Sequence, residues 1–189
     1  MADPSRTAPV KHPVIGWKTF GHPGAIRFLA RSSQTDRLAH AYLITGPAKV
    51  GKTTLAVDIA CLVNSEPVVD MFGESLNIDL STSQQADRIR RGIHSDVEII
   101  DPHTELEEDP GVSSSDEDVV TSGRQTISIT HVRQMIRDSA TKPFEGAKKV
   151  FVLDGAHRMV EAAAAALLKI LEEASDDVLI VLTAPSAES

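Results

Sequence analysis

The chain has 189 residues, 41% of them hydrophobic and 24% charged, with a formal net charge of −8 at neutral pH. That length supports one domain with a substantial core and leaves too little for two. No run reaches the roughly 18 apolar residues of a membrane-spanning helix, and a single cysteine, Cys61, excludes an internal disulfide and a multi-cysteine zinc site.

Residues 1–16 lack the apolar stretch of a secretory signal and read as a flexible tail before a domain over residues 17–189. A cytoplasmic protein with no membrane partner is expected. The pattern predicts a helix around Ala25–Ala30, then an apolar strand, Ala41–Thr45, that ends at a glycine. Helical spacing follows over Gly51–Val63, and a short helix is expected over Ser83–Arg91. Its Arg88, Arg90 and Arg91 form the densest basic cluster, expected as a solvated face rather than a phosphate grip. Val97–Asp101 reads as a second strand.

The stretch from Thr104 to Gly123 carries seven acidic residues and no basic one, so without it the net charge is close to −1. Rich in Ser, Gly and Pro as well, it lacks the apolar surface to order itself, and residues 104–126 are expected as a disordered surface insertion. A helix over Ile129–Ala140 follows, with Val132, Met135 and Ile136 at helical intervals. Val150–Asp154 is a third strand and Val178–Thr183 a fourth. Between them, the alanines and leucines of Met159–Glu173 favour helix, and Ala164, Leu167, Leu168 and Leu171 form the stripe expected to face the sheet. This alternation predicts a parallel α/β sheet with ligands at the carboxyl ends of its strands.

Gly46-Pro47-Ala48-Lys49-Val50-Gly51-Lys52-Thr53 matches the phosphate-loop pattern GxxxxGK[ST] in full, between a strand and a helix. Such a loop turns backbone N–H groups onto phosphates, and the helix N-terminus adds to that field. Lys52 would reach the β- and γ-phosphates and Thr53 would ligate Mg²⁺, with Thr54 completing the ATP-binding set. The third strand places Asp154 after four apolar residues, as a Walker B carboxylate beside the metal. The fold expected is a three-layer α/β/α P-loop NTPase.

These pieces, with Trp17–His22, Leu38–Pro47, Lys142–Gly146 and Ala165–Glu173, resemble the AAA+ subunits of the bacterial DNA polymerase III clamp loader. The ALLKILEE helix at its distance after Asp154 narrows the resemblance most. It implies a RecA-like AAA+ core that takes ATP and Mg²⁺, within a hetero-pentamer that loads a sliding clamp onto primer-template DNA. Thr183 falls at the family's sensor position near the γ-phosphate. Where hydrolysing members carry glutamate after the Walker B aspartate, this chain has Gly155, and loss of a positioned base costs about 10²–10⁴ in rate. His157 reads as a surface histidine rather than a substitute.

The family's four-cysteine zinc module is also missing from the region after the loop helix, so no zinc is expected. Both departures favour the delta prime branch, with weak or no hydrolysis, over the gamma/tau motor, which the intact Lys52 and Thr53 favour. A small-molecule P-loop kinase is a third reading, without a candidate base after Asp154. The family's arginine-finger motif, lid and collar would lie beyond Ser189.

Overall fold

The computed structural model describes residues 13–35, 37–72, 75–104, 126–173 and 175–186. The expected disordered insertion, apart from Thr104 and Thr126, and residues 1–12 of the expected tail lie outside the described residues. In chain order the elements are β1 (Val14–Ile15), α1 (Pro23–Gln34), β2 (Ala41–Thr45), α2 (Lys52–Asn64), β3 (Val68–Val69), β4 (Ser75–Asp79), α3 (Gln84–Arg90), β5 (Val97–Ile100), α4 (Ile129–Ser139), β6 (Lys149–Leu153), α5 (Glu161–Glu173) and β7 (Val178–Ala184).

The main sheet has the order β2-β7-β6-β5, and every pairing in it is parallel. All four of its strands were expected from sequence. Strands β6 and β7 lie in the middle with helices on both faces, which is why both read as continuous apolar runs. Their side chains alternate between two cores. Val150, Val152, Leu179 and Val181 pack with Leu55, Ile59 and Leu62 of α2, Leu29 of α1 and Ile89 of α3. Phe151, Leu153, Val178 and Ile180 pack with Val132 and Met135 of α4 and Leu167 and Ile170 of α5. The result is the three-layer α/β/α arrangement of a P-loop domain.

Three expectations need correction. On α5 the buried face is Ala163, Leu167 and Ile170, while Leu168 is 61% exposed. The helix is apolar on most of its circumference, so spacing alone left its rotation open. Leu168 lies about 100° round from Leu167, which takes it off the face. A second, three-stranded sheet, β1-β4-β3, was not anticipated, and its β1 falls within residues assigned to the tail. Its outer strands are two residues each, too short for a periodic signal.

The α3 arginines are the third correction, since they are not a free basic face. Arg90 reaches inward and donates to Asp58 Oδ1 at 3.0 Å, Leu80 O at 2.5 Å and Gly16 O at 3.2 Å. Asp58, fully buried on α2, also accepts from the backbone N–H groups of Lys18 (2.9 Å) and Thr19 (2.7 Å) and from the Thr19 hydroxyl (2.8 Å). One carboxylate thus ties the segment after β1 to α2 and α3. Arg88 pairs with Glu145 at 2.8 Å and Arg91 with Asp87 at 2.9 Å.

A second buried carboxylate shapes the turn into β6. Asp96 accepts from the amides of Phe144, Glu145 and Gly146 at 2.7, 2.7 and 2.8 Å. Gly146 packs so closely that a Cβ on it would stand 2.6 Å from Asn64 Oδ1. Burial pushes the Asp96 carboxyl upward, but the three amides and nearby His94 outweigh it, leaving the pKa below the usual aspartate range.

Arg90→Ala is expected to destabilise the fold by about 3–5 kcal/mol in denaturant titrations, because it strands the buried Asp58 charge. Asp96 contributes stability that is whole above the ordinary aspartate value of about 3.9 and is lost as pH falls through its lower folded value. Asp96→Asn should therefore lower stability at neutral pH by about 2 kcal/mol and flatten the acid limb of a stability-versus-pH curve.

Candidate functional site

The loop between β2 and α2 sits at the carboxyl end of the main sheet, where Thr45 pairs with Ala184 at the end of β7. Within it Lys49 (φ 63°) and Gly51 (φ 92°) take left-handed backbone, the alternation that gathers N–H groups into an anion-binding concavity. The Lys52 ammonium, on the first residue of α2, donates to Gly46 O at 2.9 Å and Pro47 O at 2.8 Å. The cation therefore already lies over the loop. His22, itself left-handed before α1, donates its Nε2 to Val50 O at 3.0 Å and braces the loop from outside. Nothing in the spacing of His22 announced that contact.

Asp154 follows β6 and meets the loop directly. The Thr53 hydroxyl donates to Asp154 Oδ2 at 2.7 Å across 101 residues of sequence. The Thr183 hydroxyl on β7 donates to Asp154 Oδ1 at 2.5 Å and accepts from Gly155 N at 3.0 Å. Thr183 is 1% exposed, so its hydroxyl orients the aspartate from behind. Thr54 is exposed one position along α2. A cleft of about 360 Å³ opens here, lined by Ala48, Lys52, Asp154, Gly155 and Thr183 and also by Asp101, His103, His157 and Arg158.

The donor set fits a magnesium ion. Thr53 and Asp154 present hard oxygens 2.7 Å apart, and adjacent ligands of an octahedral magnesium stand about 2.9 Å apart, given metal–oxygen distances of about 2.0–2.1 Å. The pair needs to part only slightly to share one ion. With Lys52 and the loop amides beside it, the arrangement is able to hold a polyphosphate with its metal.

The residue after Asp154 is committed to a turn. Gly155 has φ 88° and ψ 43°, the left-handed region. A single 3₁₀ turn, Ala156–Arg158, follows, closed by Arg158 N donating to Gly155 O at 2.8 Å. A Cβ on Gly155 would meet Arg158 Cδ and His157 Cε1, both at 3.8 Å, and Pro102 Cγ at 3.9 Å, all ordinary contacts. Space is available; the backbone hand is what disfavours a side chain. His157 is exposed, as expected from sequence.

Cys61 sits far from this chemistry, buried on α2 with its thiol toward Ala86 O. Burial pushes that thiol up to about 12, which keeps it a neutral packing group. Among the described residues, no helix is long and apolar enough to cross a membrane.

The family described as DNA polymerase III, delta subunit, matches residues 21–189. The DNA polymerase III subunit delta' of Bacillus subtilis is 27% identical over 175 residues, covering 89% of this chain and 44% of the relative. The gamma/tau subunit of Mycoplasma pneumoniae is 27% identical over 163 residues, covering 86% of this chain and 20% of the relative. The chain thus spans less than half the length of these relatives. Among solved structures, a gamma subunit-related protein of DNA polymerase III from Thermotoga maritima superposes with a TM-score of 0.52 at 20% identity, covering 82% of this chain and 38% of the other. That likeness establishes the shared AAA+ fold.

Gly155→Ala is expected to lower stability by about 1–2 kcal/mol, the cost of left-handed backbone for an L-residue, read as a fall in the thermal midpoint with the fold retained.

Proposed function

This chain belongs to the family of DNA polymerase III clamp-loader subunits, and from that premise we propose that it binds ATP with Mg²⁺ at the loop of residues 46–53 and hydrolyses it weakly or not at all. Its role on this reading is that of delta prime: one subunit of a hetero-pentamer that helps place a sliding clamp on primer-template DNA. The observation that carries the proposal is Asp154, hydrogen-bonded to Thr53 on one side and Thr183 on the other, and followed by a glycine.

Lys52 and the backbone N–H groups of Ala48 to Thr53 take the phosphates, while Thr53 and Asp154 hold the metal. Magnesium at that position supplies neutralisation of charge on the β- and γ-phosphates. What the cleft lacks is a carboxylate on the residue after Asp154 to orient an attacking water. Asp154 is committed to the metal and Gly155 has no side chain. A loss of about 10²–10⁴ in rate follows from a missing base.

The gamma/tau motor is the second reading. It draws on the intact Lys52–Thr53 pair and on the likeness to the Mycoplasma pneumoniae protein. Family membership leaves the small-molecule kinase without support.

Lys52→Ala in this subunit alone, within the reconstituted complex, separates the first two. Delta prime predicts that the subunit's own ATP affinity falls by more than about tenfold while turnover by the complex is unchanged. A large drop in turnover would identify this site as a working motor.

A further inference from the structure

Arg158 is the cleft-lining cation that the functional reading leaves without a task. It ends the 3₁₀ turn that begins at Gly155, and its N–H closes that turn on Gly155 O at 2.8 Å. The turn folds the side chain back toward Gly155: Arg158 Cδ lies 3.8 Å from the point where a Cβ on Gly155 would stand, and Arg158 lines the same cleft as Lys52 and Asp154. The left-handed backbone that disfavours a side chain at Gly155 therefore brings the Arg158 side chain to its neighbourhood.

The guanidinium has no carboxylate or carbonyl partner among the described residues. The arginines of α3 differ, since each of them is held by an acid. The cleft's own carboxylates have other partners. Asp154 accepts from the two threonine hydroxyls, and Asp101 Oδ1 accepts from His103 N at 2.7 Å and Thr104 Oγ1 at 3.2 Å. An unpaired fork of N–H donors beside a phosphate loop matches the geometry of a phosphate group.

We propose that Arg158 is a specificity-determining residue that grips the terminal phosphate of a nucleoside triphosphate from within the same chain. This rests on the ATP-binding reading above and adds a preference to it. The site discriminates triphosphate from diphosphate and holds the former, with a cation where a hydrolysing site would place its anion. Lys52 and the loop amides serve both nucleotides; Arg158 serves only the one with a third phosphate. Its exposure makes it replaceable without loss of the fold.

The test is calorimetric titration of the full chain with ATP and with ADP, each with Mg²⁺, for wild type, Arg158→Ala and Arg158→Lys. Arg158→Ala is expected to weaken ATP about tenfold and ADP less than about twofold, with Arg158→Lys between wild type and alanine for ATP. Equal weakening of both nucleotides, or of neither, overturns the assignment while leaving ATP binding intact. A wild-type chain that binds neither nucleotide overturns the functional reading and this inference with it.

Discussion

The site depends on one carboxylate being held from two directions. Asp154 closes a hydrogen bond to Thr53 at the start of α2 and another to Thr183 on β7, so the loop helix and the two central strands meet at a single group. Neither threonine is close to it in sequence. The contacts exist because parallel pairing sets β6 beside β7, with Leu153 opposite Leu182, and β7 beside β2, with Thr45 opposite Ala184. Every strand delivers its last residue to the same edge, which is where open α/β sheets gather ligands.

Two other buried carboxylates keep that edge in register from a distance. Asp58 binds Arg90 and the backbone at residues 18 and 19, fixing α2 against the minor sheet. Asp96 caps three consecutive amides just before β6 and so sets where that strand begins. Buried charge is a poor source of net stability, but breaking one half of such a pair is expensive. Here that expense falls on geometry that the site requires.

The central strands β6 and β7 were legible because burial on both faces turned each into an apolar run. The turn between β2 and α2 was legible because Gly46, Gly51, Lys52 and Thr53 stand at the fixed spacing of a strand–loop–helix motif. The rotation of α5 was not, because alanine and leucine on nearly all sides give several equivalent stripes and only packing against α4 and the sheet selects one. Arg90 looked like its neighbours Arg88 and Arg91. Its burial depends on Asp58, 32 residues away, which no local pattern reveals. Gly155 was read as a missing acid, and the structure adds the reason that a side chain is unwelcome there. Its left-handed turn also determines where Arg158 goes, which the spacing from Asp154 did not disclose.

The measurement that bears most directly on this account is a crystal structure of the chain with magnesium and a non-hydrolysable ATP analogue. Lys52 should leave the carbonyls of Gly46 and Pro47 for the phosphates, with one metal ion ligated by both Thr53 and Asp154. A nucleotide seated elsewhere, or a loop with Lys52 still folded on its own carbonyls, would contradict it.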